Sequence, residues 1–220
     1  MVEVACIEAA EQKLLADLPV MVGELAVPRL VVPYENNKAS RRLPPDVYEL
    51  FTLRGLVDDL EPDHQLASIE PSDYSYEVSP KPRNVSSACL ATRDAIGLGY
   101  EGELIAFAAA GISHSTGSIY VKQIAGISSD AKSEAGKHAR RSVRWTETLI
   151  RAWAEVGSKV GLEDIELKTY EGVRFKENAV QDDRVLRMRR RHVRAAEYLK
   201  FEPAANGRWH QSVADLKKYV

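Results

Sequence analysis

Cysteine is scarce: Cys6 and Cys89 are the two in 220 residues, and they lie far apart in apolar stretches. That excludes a disulfide framework and a thiolate metal site, and it predicts reduced structural thiols in a cytoplasmic protein. Charge excess is lacking as well. Thirty Lys and Arg against 32 Asp and Glu leave a formal charge of -2, so the chain has no bulk signature of a nucleic-acid or anionic-membrane binder, and any such role has to come from a local patch. No apolar run is long enough to span a bilayer, and Met1 to Glu8 carries Glu3 and Glu8 with no basic residue; no membrane span and no signal peptide are expected. HxE, CxxC and HExxH arrangements are missing, so no metal is expected, and without GxSxG or a clear triad nothing points to a hydrolase. There is no internal repeat and no low-complexity tract. What remains is a chain long enough to bury a substantial core without staples.

Along the chain, Ile7, Ala10, Leu14 and Leu18 recur at helical spacing and predict an opening helix over residues 5–18 that ends before Pro19. Residues 25–34 look extended and 36–45 form a loop. Asp46 is then expected to cap a helix carrying Val47, Leu50, Phe51, Leu53 and Leu56, closed by Glu61 and Pro62. Prolines and serines between Pro71 and Pro82 predict an irregular segment, with the main sheet starting after it. Residues 1–83 are thus expected to be a helical and irregular extension, and 84–220 the main domain, in one compact unit.

Three strands follow, over 87–93, 103–111 and 118–124, with glycine-rich connections of hairpin length, which predicts an antiparallel meander. A helix over about 138–160 places Val143, Leu149, Ile150, Trp153, Val156 and Val160 on one face. Residues 165–170 alternate like a strand, about 182–199 form a second helix burying Val185, Met188, Ala195 or Ala196 and Leu199, and 209–213 return as a strand. The predicted fold class is α+β: a central mixed sheet flanked by helices, with an N-terminal helical extension.

Gly97, Gly99 and Gly102 match GxGxxG, but that fingerprint has to precede a helix, whereas these glycines precede the apolar run Leu104 to Phe107; a tight hairpin turn is expected. The stretch from Gly126 to Arg140 joins a strand to a long helix and holds Ser128, Ser129, Lys132, Ser133, Gly136, Lys137, His138 and Arg140. Two readings stand: an anion site on the backbone amides of Gly136 to Arg140, or a solvated loop whose serines and glycine cap the helix. Between Arg184 and Arg194 six arginines alternate with apolar residues. They suit the phosphates of a nucleic acid or of a nucleotide cofactor, or else form a solvated face paired with Asp182, Asp183 and Glu177. His114, Tyr120, His192 and Tyr198 are the candidates for proton transfer, with His192 expected to pack and His114 to sit in a turn.

Over about residues 84–213 this order of elements resembles the GNAT superfamily of N-acetyltransferases. Trp145 to Gly161 and then Asp164 to Leu167 look like that family's cofactor helix and following strand, and Ala195 to Glu202 looks like the end of its next helix. Centred on Gly136, the family's pyrophosphate signature places Ser133 at its first position and His138 at its last; aligned on Phe201, its tyrosine position falls on Ala196, two residues before Tyr198. The resemblance implies acetyl-CoA as co-substrate and acyl transfer to a small-molecule or protein amine. Gly136, Lys137, His138, Ala139 and Arg140 would hold the pyrophosphate, Gln123, Ile124 and Gly126 the pantetheine, and Tyr198 would be the acid. The alternative is a non-catalytic GNAT-like module that binds nucleic acid or protein through the Arg184 to Arg194 helix. The N-terminal extension is expected to shape a substrate cleft or a subunit contact, the latter making a homodimer.

Overall fold

The computed structural model describes residues 4–34, 43–53, 76–78, 88–90, 94–127, 133–168, 183–204 and 208–218. Seven strands form one mixed sheet: β1 (Tyr48–Thr52), β4 (Ala95–Tyr100), β5 (Glu103–Ser113), β6 (Ser118–Gly126), β7 (Asp164–Lys168), β9 (Arg208–Ser212) and β8 (Glu202–Pro203), in that spatial order. All neighbours are antiparallel except β6 and β7. A separate antiparallel pair joins β2 (Tyr76–Val78) to β3 (Ala88–Leu90). The helices are α1 (Val4–Gly23), α2 (Val27–Leu30), α3 (Glu134–Ser142), α4 (Trp145–Lys159), α5 (Asp183–Tyr198) and α6 (Val213–Lys218). The result is the expected α+β class, a mixed sheet flanked by helices, and no helix among the described residues is long and apolar enough to cross a membrane.

Four local expectations are corrected. The opening helix runs through Pro19 to Gly23, because Leu18, Met21 and Val22 continue its buried face against β1 and α4. The residues expected to be extended include the one-turn helix α2. The helix expected after Asp46 is one 3₁₀ turn, Pro45–Val47, followed by strand β1. Pairing with β4 decides that change: Phe51 stands opposite Gly97, and Tyr48 sets its ring 6.1 Å from that of Tyr100 across the ladder. Leu56, Glu61 and Pro62 lie outside the described residues. Finally, the first strand of the meander is Ala95–Tyr100 rather than 87–93, of which Ala88–Leu90 pairs with β2 instead.

The GxGxxG stretch is a hairpin. Gly97 and Gly99 lie within β4, where a Cβ would come within 2.9 Å of Phe51 Cε2 from the first and 2.8 Å of Phe51 Cε1 from the second. Both glycines therefore make room for one aromatic ring. The turn consists of Glu101 and Gly102, both with positive φ (51° and 72°), as a two-residue turn between twisted strands requires.

The predicted 138–160 helix is broken in two. Val143 is extended and forms a bridge with Pro33, the Arg144 amide donates to Val32 O at 2.7 Å, and the Val32 amide donates to Thr148 Oγ1 at 3.1 Å. The 31–34 segment thus takes hydrogen bonds that a continuous helix would have kept, and α4 restarts at Trp145. Trp153, fully buried, donates its indole N–H to Ala108 O at 3.0 Å and pins α4 to β5. Gly157 admits Ile119 of β6, whose Cγ1 would lie 2.8 Å from a Cβ there. Residues of α1, β1, β4–β7, α4, α5 and α6 share one apolar core.

Candidate functional site

The geometry at the C-terminal half of β6 follows from two irregularities. Opposite β5, Ala109 pairs with Gln123 and Ala110 with Val121, so Lys122 is an extra, bulged residue. On the other side, registered pairing with β7 covers Ile119 to Val121 and stops, although β6 continues to Gly126. The edge from Lys122 to Gly126 is therefore not laddered to β7, and its carbonyls need other donors. His192 of α5 supplies one: its imidazole Nε2 lies 3.1 Å from Ile124 O, and a carbonyl partner makes that nitrogen the donor. His192 is 6% exposed, and burial pushes it down to about 4, so the ring is neutral at neutral pH. A cavity of ≈ 10 Å³, about the size of one water, remains between Gln123, Ile124, Ile150, Leu167 and His192.

Beyond the strand, α3 begins. Ser133 caps it, its Oγ accepting from the Gly136 amide at 2.9 Å, and the Lys137 amide already donates to Ser133 O at 2.9 Å. Of the predicted anion-binding group, Gly136 alone lies in the first turn; the amides of Lys137, His138, Ala139 and Arg140 point into the helix ladder. Glu103, at the start of β5, fills the position an anion would take. Its carboxylate accepts from the Ser133 amide at 3.1 Å and from Ser133 Oγ at 2.5 Å, and a Cβ on Gly136 would collide with it. A helix N-terminus favours negative charge, and here the chain provides its own. Lys137 pairs with Glu134 at 2.6 Å, half-buried His138 accepts from Ser142 Oγ through its carbonyl at 2.9 Å, and buried Ala139 accepts from the Tyr48 hydroxyl at 2.9 Å.

Cationic and aromatic side chains crowd the mouth of this region. Arg140 donates through Nη1 to Ile127 O, and its Cζ would lie 3.5 Å from a Cβ on Gly126. Trp145 occupies the same place, with Cζ2 3.1 Å from that position, so Gly126 is where guanidinium and indole close over the strand end. Arg191 stacks on the Trp145 ring at 4.6 Å. Arg144 lies 4.5 Å from the centre of Tyr198 and 5.3 Å from that of Tyr34, and bonds Glu147 at 3.3 Å. Burial, and then the neighbouring guanidiniums of Arg191 and Arg141, lower the proton affinity of Arg140.

Tyr198, the last residue of α5, thus belongs with Arg144, and it is not among the residues around the small cavity. Gln123 and Ile124 line that cavity, and Gly126 sits below Trp145. Of the arginine run, Arg190, Arg191 and Arg194 are exposed on α5, while the side chains of Arg184, Arg187 and Arg189 lie outside the described residues, as do Ser128, Ser129 and Lys132. His114 is exposed in the β5–β6 turn, 3.1 Å from Glu11 of α1. Tyr120 packs under Arg208 at 4.1 Å, and Arg208 bonds buried Glu166 at 2.7 Å and Ser113 Oγ at 3.3 Å. Burial raises the Tyr120 phenol, with Arg208 opposing. Among the described residues no group of three His, Cys, Asp or Glu side chains is placed to hold a metal.

Sequence reasoning missed Glu103, Arg144, Trp145 and the Glu166–Arg208 pair. None carries a local pattern, since each meets a partner on another element, 30 residues away for Glu103 and 42 for Glu166. No protein-family model and no curated protein matches the chain.

Proposed function

We propose that the chain is an acyl-CoA-dependent N-acyltransferase, moving an acetyl group from acetyl-CoA to an amine. The observation that carries this reading is the parallel β6–β7 pair, which stops being laddered after Val121 with a helix beginning beyond the end of β6. The GNAT superfamily, which the sequence resembles, holds pantetheine between two such strands and pyrophosphate at such a helix, and the strand order here is compatible with its sheet. Gln123, Ile124 and Gly126 would contact the pantetheine, with Gly136, Lys137, His138, Ala139 and Arg140 toward the phosphates. The amine nitrogen attacks the thioester carbonyl carbon, the C–S bond breaks, and the thiolate takes a proton; Tyr198 is the candidate donor. The proton that the nitrogen gives up passes through solvent to restore the phenol, leaving an amide and a free thiol. Fit to this co-substrate is conditional on this chain's own residues: Glu103 has to leave Gly136 for the α3 amides to meet the pyrophosphate, and His192 has to release Ile124 O for the pantetheine.

Those two internal contacts favour a second reading, a non-catalytic module of the same architecture that uses the exposed arginines of α5 to bind nucleic acid or protein. Calorimetric titration with acetyl-CoA, paired with a thermal-shift scan, separates the two. A micromolar Kd and a raised Tm support the enzyme, and screening of amines follows. Silence up to millimolar acetyl-CoA, with salt-dependent oligonucleotide binding lost in Arg187→Glu/Arg190→Glu, supports the module.

A further inference from the structure

Among the described residues, the crowding of Arg140 and Arg191 around Trp145 has no carboxylate counter-ion. Three helices contribute: α3 carries Arg140, α4 carries Trp145, and α5 carries Arg191. Among the described residues neither Arg140 nor Arg191 pairs with a carboxylate; Arg140 bonds a carbonyl, Arg191 covers an indole, and the nearby Glu147 is engaged by Arg144. Like charges held together by packing repel unless an anion lies between them. A guanidinium that has already lost water to an aromatic face gives up little more to meet a phosphate oxygen. The amides of the α3 N-terminus, in contrast, are covered by Glu103.

We infer that Arg140 and Arg191, held against Trp145 at the end of β6, form a binding site for a small diphosphate-class phosphoanion, read by side-chain guanidiniums rather than by the backbone amides of α3. Each guanidinium presents N–H groups to phosphate oxygens, and the missing side chain at Gly126 lets Trp145 and Arg140 settle over the strand end. The site rests on the acyl-CoA reading for the identity of its natural ligand, whose diphosphate would lie here, but not for its chemistry. Two guanidiniums and an indole from three helices also mean that the site exists only in the folded chain.

The test is calorimetric titration of the full chain with sodium pyrophosphate and, separately, adenosine 3′,5′-bisphosphate, with a thermal melt of each variant. Both probes are expected to bind. Arg191→Gln, at an exposed position, and Arg140→Gln are each expected to weaken binding about tenfold, the loss of one charge-assisted contact. Arg190→Gln, one residue along α5 and about 100° around it, is the control and should leave binding within about twofold. No pyrophosphate binding up to millimolar overturns the site. So does an equal loss in Arg190→Gln, which would mark diffuse charge attraction, or binding of a single-stranded oligonucleotide alone. Pyrophosphate binding that is sensitive to Arg191 while acetyl-CoA is neither bound nor turned over upholds this site and removes the acyl-transfer reading.

Discussion

The carboxylate of Glu103 takes both the backbone amide and the hydroxyl of Ser133, across 30 residues of sequence, and in doing so lies against Gly136. The Gly136 amide donates to the same hydroxyl, so a single chain of hydrogen bonds runs from the first turn of α3 to the start of β5.

This chain of contacts sets the sign of one substitution. Alanine in a helix is favoured over glycine by about 1 kcal/mol, but at Gly136 its Cβ would expel the Glu103 carboxylate and forfeit a charge-assisted contact of about 2 kcal/mol. Gly136→Ala should therefore destabilise the wild type by about 1 kcal/mol and stabilise a Glu103→Ala background by about the same amount. Urea denaturation of the four proteins checks the cycle; simple additivity would show that the two residues do not interact. Where the α3 amides hold the pyrophosphate, Glu103→Ala should also tighten acetyl-CoA binding severalfold; where the guanidiniums of Arg140 and Arg191 hold it, the change should stay within about twofold.

His192 predicts a pH dependence. Its folded value of about 4 lies below the unfolded 6.5, so between these the unfolded chain binds a proton that the folded chain refuses. Stability from this group is complete above about pH 6.5 and declines as pH falls toward 4, by up to about 3 kcal/mol. His192→Gln keeps an N–H donor for Ile124 O but does not titrate. Compared with wild type in urea melts from pH 7.5 to 4.5, it should show a lower plateau and a shallower acid slope. Parallel slopes would mean that the imidazole is not buried in neutral form.

Arg208 is predicted to be structural. Arg208→Met strands the buried Glu166 carboxylate and should cost about 3 kcal/mol, the low end for a broken buried pair because Arg208 is still 28% exposed. Adding Glu166→Gln should recover most of that loss in chemical denaturation. A double variant no more stable than Arg208→Met would place the stabilisation in the Tyr120 stack instead.

Much of the second half was legible because its patterns are long. The α4 face with Leu149, Ile150, Trp153 and Val156 repeats its period over several turns, and Ala195, Ala196 and Leu199 continue such a face at the end of α5. The first half was less so: Val47, Leu50 and Phe51 suit a helix or a strand equally, and only the room that Gly97 and Gly99 leave for Phe51 decides for β1. The split of the predicted 138–160 helix was likewise hidden, since Val143 and Arg144 carry no breaker; Pro33 and Val32 take their place in the hydrogen-bond ladder.

At the site the same division holds. The amino-acid order by itself determined that a strand ends near Gly126, that a cation-rich stretch leads from it into a helix, and that arginines crowd a later helix, because these properties depend on neighbours a few residues away. Tertiary structure alone decided that Glu103 covers the start of α3, that His192 takes the Ile124 carbonyl, and that Arg140 and Arg191 meet over Trp145. These depend on where strands part and helices cross, and a charge or a carbonyl is satisfied by whichever group is nearest in space.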